Sequence, residues 1–279
     1  VAALTLLLST PAAAQAPAEA ARAYTPPRTS DGQPDLQGIW QVLNTAAWDI
    51  QDHSGQLGIP AGQGVVEGNE IPYQPWALAQ KQENYDSRLT ADPAATCYMP
   101  GVPRITYLPY PFQILQFPDR VLILYEYIHV TRTIYTDGSP HPDGHIDFWM
   151  GDSRGHWEGD TLVVETTNFD AKGWISSNAS AGRMHAVPQT DALRVVERFT
   201  RIDENTITWQ TTIEDPDVYA APWTVEVPFR RVPEYVIYEY ACHEGNHAIE
   251  GVMGGQRAVE RRNISEPTVD DTNPSDGDR

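Results

Sequence analysis

The chain has 279 residues, 41% of them hydrophobic, and a formal net charge of -19. That length and apolar content suffice for one large domain or two small ones with a real core, which argues against a fibrous or wholly disordered chain. The acidic surplus argues against nucleic acid or an anionic membrane surface as partner, because binding phosphate needs clustered Lys and Arg.

Residues 1–16, VAALTLLLSTPAAAQA, read as the remnant of a signal peptide, with Ala14-Gln15-Ala16 as the small-residue cleavage site. The apolar run is interrupted by Ser9, Thr10 and Pro11 and is too short to span a bilayer; no later stretch qualifies as a membrane span. A periplasmic or secreted protein is therefore expected. In an oxidising compartment the two cysteines, Cys97 and Cys242, predict one disulfide, contributing on the order of 4–5 kcal/mol. Two free thiols or a Cys-His copper site are the rival readings.

Residues 17–35, rich in Pro, Ala and polar groups, are expected to form a mobile N-terminal arm, 36–262 a single β-rich domain, and 263–279 a disordered acidic tail. The domain opens with a strand candidate in GIWQVLN and a weak helix in WALAQKQENYDSRL. Two β-branched, apolar runs then flank Pro118-Asp119, which is hairpin chemistry. Further strands are predicted at HIDFWMG, GHWEG, DTLVVETTNF, ALRVVERFTRI, NTITWQTTIED, WTVEVPFRRV and EYVIYEYACH. Turn signals at Asp137-Gly138, Glu158-Gly159-Asp160 and Asp203-Glu204-Asn205 separate some of them. In residues 193–202 Leu, Val, Glu and Phe alternate with Arg, Val, Arg and Thr, so one face is packed and one wet. The expected fold is mainly β: an antiparallel meander closed into a barrel or strongly curved, lipocalin-like by analogy of pattern, with few short helices. A last helix is expected after Asn246 as its N-cap.

The segments GDSRGHWEGDTLVVETTNF, CYMPGVPR, RTIYTDGSPHPDG and ACHEGN together resemble a family of exported bacterial proteins, over about Leu36 to Arg257. The resemblance implies export and no particular activity. In that family's pattern an aromatic residue commonly follows CHEGN, where this chain has His247.

ACHEGNH also spells a zinc-protease motif through His243, Glu244 and His247, which requires a helix to bring both imidazoles to one metal. The preceding VIYEY has strand composition and Gly245-Asn246 is turn chemistry, so the helix is not expected there. At a strand end, His243 becomes an acid-base candidate oriented by a bridge at Cys242, and Glu244 points the other way or caps the next helix; a buried structural histidine is the alternative. The loop YTDGSPHPDGH offers Asp137, His141, Asp143 and His145 on a backbone stiffened by Pro140 and Pro142, either as a site or as a solvated hairpin loop. Arg132, on the strand entering it, projects inward as an anion clamp or outward as a surface charge. His185 lies in a lead-in with the character of a lid. Tyr125, Tyr127, Trp149, Trp209, Trp223 and Tyr238 line an apolar cavity or fill a core.

The sequence thus points first to an extracytoplasmic enzyme acting on a small apolar or aromatic molecule in a barrel-like cavity. His243, with Arg132, His141 or His185, would move a proton in a lyase, isomerase or hydrolase type of reaction. A non-catalytic hydrophobic-ligand-binding envelope protein is the alternative. A metal is not favoured, though zinc or copper at His141, His145 and His243 forms a third reading.

Overall fold

The computed structural model describes residues 24–55, 59–144, 146–175, 187–240 and 248–265. In chain order the strands are β1 (Gly38–Gln41), β2 (Phe112–Phe117), β3 (Arg120–Tyr125), β4 (Thr131–Tyr135), β5 (Asp152–Glu158), β6 (Thr161–Thr167), β7 (Trp174–Ile175), β8 (Val187–Pro188), β9 (Arg194–Arg201), β10 (Thr206–Glu214) and β11 (Trp223–Arg231). Helix α1 spans Pro75–Ala91 and α2 spans Ala248–Ser265. All strands but β7 and β8 form one closed barrel, in the order β1-β11-β10-β9-β6-β5-β4-β3-β2. The mainly β, barrel-like expectation is met. No helix among the described residues is long and apolar enough to cross a membrane.

Local chemistry explains most of the ladder. Phe117 pairs with Arg120 across Pro118-Asp119, and Glu158 pairs with Thr161 across a turn in which Gly159 takes a φ of 60°, a region glycine enters without steric cost. In β9, Val195, Glu197, Phe199 and Arg201 point inward and are buried, as the alternation required. Two departures alter the simple meander. The β4–β5 pair is parallel, because residues 136–151 return the chain to the end at which β4 began. From β6 the chain then makes an excursion through the two-stranded β7–β8 before β9 pairs back on β6.

Two predicted strands do not form among the described residues. Of HIDFWMG only a single bridge, Phe148 to Phe169, forms, and the described residues 234–240 of EYVIYEYACH form none. The second absence has a plain cause: β1 pairs with both β11 and β2, so the sheet closes and leaves no edge for a further strand.

The barrel interior is filled. Trp40, Phe112, Phe199, Trp209 and Phe229 are each at most 1% exposed, and Phe229 meets Phe112, Trp209 and Phe199 at centroid distances of 5.0, 5.8 and 6.1 Å. At the end where β2 starts and β3 finishes, a buried turn at Arg104–Tyr107 is held by the bidentate Arg104–Asp92 pair at 2.8 and 2.7 Å. At the opposite end, part of the segment expected as a mobile arm is pinned: Arg28 bonds Asp160 at 2.5 Å and Arg201 donates to the Asp35 carbonyl at 2.8 Å.

Candidate functional site

Arg132 points into the barrel, and the anion it clamps is the chain's own. Its guanidinium forks onto Glu197 and donates to Ser153 Oγ at 3.0 Å and Thr166 Oγ1 at 2.9 Å. Trp209 Nε1 donates to the same carboxylate at 3.0 Å. Burial by itself would push the Arg132 pKa down, but Glu197 beside it carries it above its ordinary value. With both side chains at most 2% exposed, this is an internal ion pair without an open face for a substrate.

His141 lies on the outer wall between two carboxylates. Its Nδ1 is 2.7 Å from Asp152 Oδ1 and its Nε2 is 3.4 Å from Glu165 Oε1. Arg154 grips Asp152 and reaches Ser139 Oγ at 2.5 Å, while Arg194 bridges Glu165 and Glu214. The network joins outward positions of β5, β6, β9 and β10 to the 136–151 loop. An imidazole backed by a carboxylate and 23% exposed has the geometry of a proton-transfer pair.

The third arrangement is a cleft between α1 and the start of β11, of about 590 Å³, whose walls include Ile71, Tyr73, Leu78, Lys81 and Trp223, with Glu67 and Glu70 also lining it. A smaller hollow of about 310 Å³ adjoins it across Leu78 and Lys81. The chain builds this cleft by strapping residues 65–76 along β11 and the turn before it. Glu226 N donates to the Val65 carbonyl at 3.1 Å, Gln74 N to Val218 at 2.7 Å and Ala220 N to Pro72 at 2.8 Å. Pro75 then starts α1, where its missing N–H costs nothing. Tyr73 tilts against Tyr219 at 5.7 Å, and Tyr219 meets Trp223 edge-on at 5.5 Å. The Lys81 ammonium sits 4.8 Å from the Tyr73 ring centroid and makes no ion pair among the described residues. Burial lowers the Lys81 pKa, with Asp49 opposing that shift. Burial likewise raises the pKa of Tyr73, whose hydroxyl has no hydrogen-bond partner among the described residues, and Asp49 and Tyr107 add to it.

The aromatic candidates disperse over the molecule and do not share one cavity. Tyr125 and Trp209 are core residues at 3% and 0% exposure. Tyr127 packs with Tyr110 and Tyr240 at 5.0 and 5.3 Å, and Trp149 stacks on Tyr98 at 4.7 Å. Tyr238 is exposed and edge-on to Tyr235. Trp223 alone of the six lines the cleft. The barrel cavity expected from these residues is therefore corrected to a packed core, because the alternate positions that would line it carry side chains large enough to meet across it.

His145, His185, Cys242, His243, Glu244 and His247 lie outside the described residues. Among the described residues there is no cluster of three or more His, Cys, Asp or Glu able to hold a metal, and no free cysteine. Lys81, Tyr73 and Leu78 were missed in the sequence. One signal was present: Lys81 and Lys172 are the only lysines among 19 basic residues.

No protein-family model matches the chain, and no curated protein matches it either.

Proposed function

We propose that this is an extracytoplasmic protein that takes a small, largely apolar or aromatic organic molecule in the cleft between α1 and β11. The carrying observation is the cleft itself: a hollow of about 590 Å³ whose lining joins the apolar and aromatic Tyr73, Leu78 and Trp223 to the polar Gln51, Glu67, Glu70 and Lys81. Small-molecule sites have this size. Export, the kinship with exported bacterial proteins and a Cys97–Cys242 bridge belong to the same proposal, supported by the leader-like first residues and the segments quoted above. The test is a binding screen of small aromatic and terpenoid compounds read by tryptophan fluorescence, with Leu78→Asp and Trp223→Ala as paired variants. Leu78 is 56% exposed, so Leu78→Asp leaves the core untouched. Binding that both variants weaken supports the proposal; a screen without binders, or binding that neither variant alters, sinks it.

A second, catalytic reading draws on His141. Its contact with Asp152 favours proton transfer at the wall in a lyase, isomerase or hydrolase type of reaction. Turnover of a bound compound that is lost in His141→Gln, in a variant that still binds, would establish it. Full turnover in that variant would return His141 to the surface ion-pair network. The metal reading is tested separately, by elemental analysis of the purified chain.

A further inference from the structure

We propose that Lys81 is a carbonyl-capturing amine, and that the ligands of the cleft include small aromatic aldehydes or ketones that it holds as an imine. This deepens the cleft reading and rests on it.

Four observations converge. Lys81 lines both adjoining hollows, so its amine is reachable from either. It lies on the packed face of α1: Ala77 is fully buried, Asn84 is 8% exposed, and Lys81 falls between them at i+4 and i-3. Its contact is the face of Tyr73, and it makes no ion pair among the described residues, so the Asp49 carboxylate, which favours the charged form, opposes the desolvation without outweighing it. The desolvation of that position favours the neutral amine, which is how proteins prepare a lysine nucleophile.

The other lysine gives the contrast. Lys172 has a side chain 79% exposed and lies 3.7 Å from the Asp170 carboxylate, a solvated surface ion pair. Lys81, unlike Lys172 and unlike Arg104, Arg132, Arg154 and Arg194, is in no ion pair among the described residues, so none depends on its charge. What lysine adds is a nitrogen able to lose its proton, which arginine lacks.

The chemistry balances within the pair of reactants. The nitrogen lone pair adds to the carbonyl carbon and a C–N bond forms. The two amine protons and the carbonyl oxygen leave as water, and a C=N bond remains. No oxidant or further reactant enters.

The experiment treats the whole chain at neutral pH with 4-hydroxybenzaldehyde and sodium cyanoborohydride, which reduces an imine to a stable secondary amine. Peptide mass spectrometry then reads Lys81 against Lys172. The expected result is an adduct on Lys81 in several-fold excess over Lys172, absent in Lys81→Arg and suppressed by 4-hydroxybenzyl alcohol, which fits the same walls without a carbonyl. Labelling of Lys81 no faster than Lys172, while the alcohol still binds, overturns the inference and leaves the cleft reading standing. Rapid labelling without protection by the alcohol overturns the claim that the cleft presents the carbonyl. Neither labelling nor alcohol binding would remove both.

Discussion

Glu197→Gln isolates the ion pair inside the barrel. The side chain keeps its size and one acceptor oxygen, so Trp209 Nε1 retains a partner, but an NH2 group now faces an Arg132 nitrogen that is itself a donor. Arg132 is left charged at 2% exposure among neutral partners, the retained amide oxygen, Ser153 and Thr166, with no carboxylate to balance it. Breaking a buried pair in this way costs about 3–5 kcal/mol. The double variant Arg132→Met with Glu197→Met removes both charges. Ser153 and Thr166 lie 3.1 Å apart and satisfy each other, so the main remaining loss is the acceptor of Trp209 Nε1, about 1–3 kcal/mol. The double variant should therefore be more stable than Glu197→Gln or Arg132→Met alone. Urea unfolding followed by tryptophan fluorescence, with the slope checked for constancy, measures each term. Additive single costs, with the double variant the least stable of the three, would refute the account of a coupled pair.

Other consequences follow from the same interior. Thr211 is fully buried opposite Glu197 and its hydroxyl has no partner among the described residues, so Thr211→Val should raise stability by about 1 kcal/mol in the same urea assay. At Gly151 φ is +67° and an added Cβ would stand 2.5 Å from Thr166 Cγ2 and 2.8 Å from Phe169 Cε1; Gly151→Ala should cost about 2–5 kcal/mol from backbone strain and overpacking together, measurable as a lowered midpoint. Burial raises the pKa of Tyr73, Tyr107, Tyr125 and Tyr219, and pushes Tyr127 up to about 12. The unfolded chain ionises these groups near pH 10 while the folded chain holds them neutral, so their contribution is complete below about pH 10 and is lost as pH rises beyond it, through about 12 for Tyr127. Thermal midpoints should fall steeply over that range, and phenolate absorbance should rise late; ionisation of all 13 tyrosines near pH 10 with the fold intact would contradict the burial argument.

The sheet was legible where short-range pattern fixes it. The alternation through Val195, Glu197, Phe199 and Arg201, and the turn at Pro118-Asp119, each state their own structure. Long-range pairing was not. GIWQ reads as a strand, but nothing local says that it closes a barrel between β2 and β11, and without that closure EYVIYEYACH looks like the next strand. The side chains at the candidate sites show the same divide. Arg132 admitted inward and outward placements because its partner Glu197 is 65 residues away. His141 was singled out from its loop, whereas the carboxylates beside it come from β5 and β6. Period-two aromatics specify an inward face and cannot specify whether that face meets ligand or other rings.

A filled barrel moves any ligand site outward, and this changes which residues matter. A small barrel is just wide enough for inward side chains to meet, and here rings from β2, β9, β10 and β11 do so around Phe229. Function then depends on what the closed sheet carries on its outside. The basic residues divide along this line. Arg104 and Arg132 lock buried carboxylates, Arg154 and Arg194 order the wall, and Lys172 pairs with the half-buried Asp170. Lys81 stands apart: among the described residues it makes no ion pair, its contact is the Tyr73 ring face, and it lines the hollows where α1 meets the sheet. A partly desolvated cation that makes no ion pair adds little to folding, and this is why the proposed role of a lysine there is chemistry toward a molecule entering the cleft.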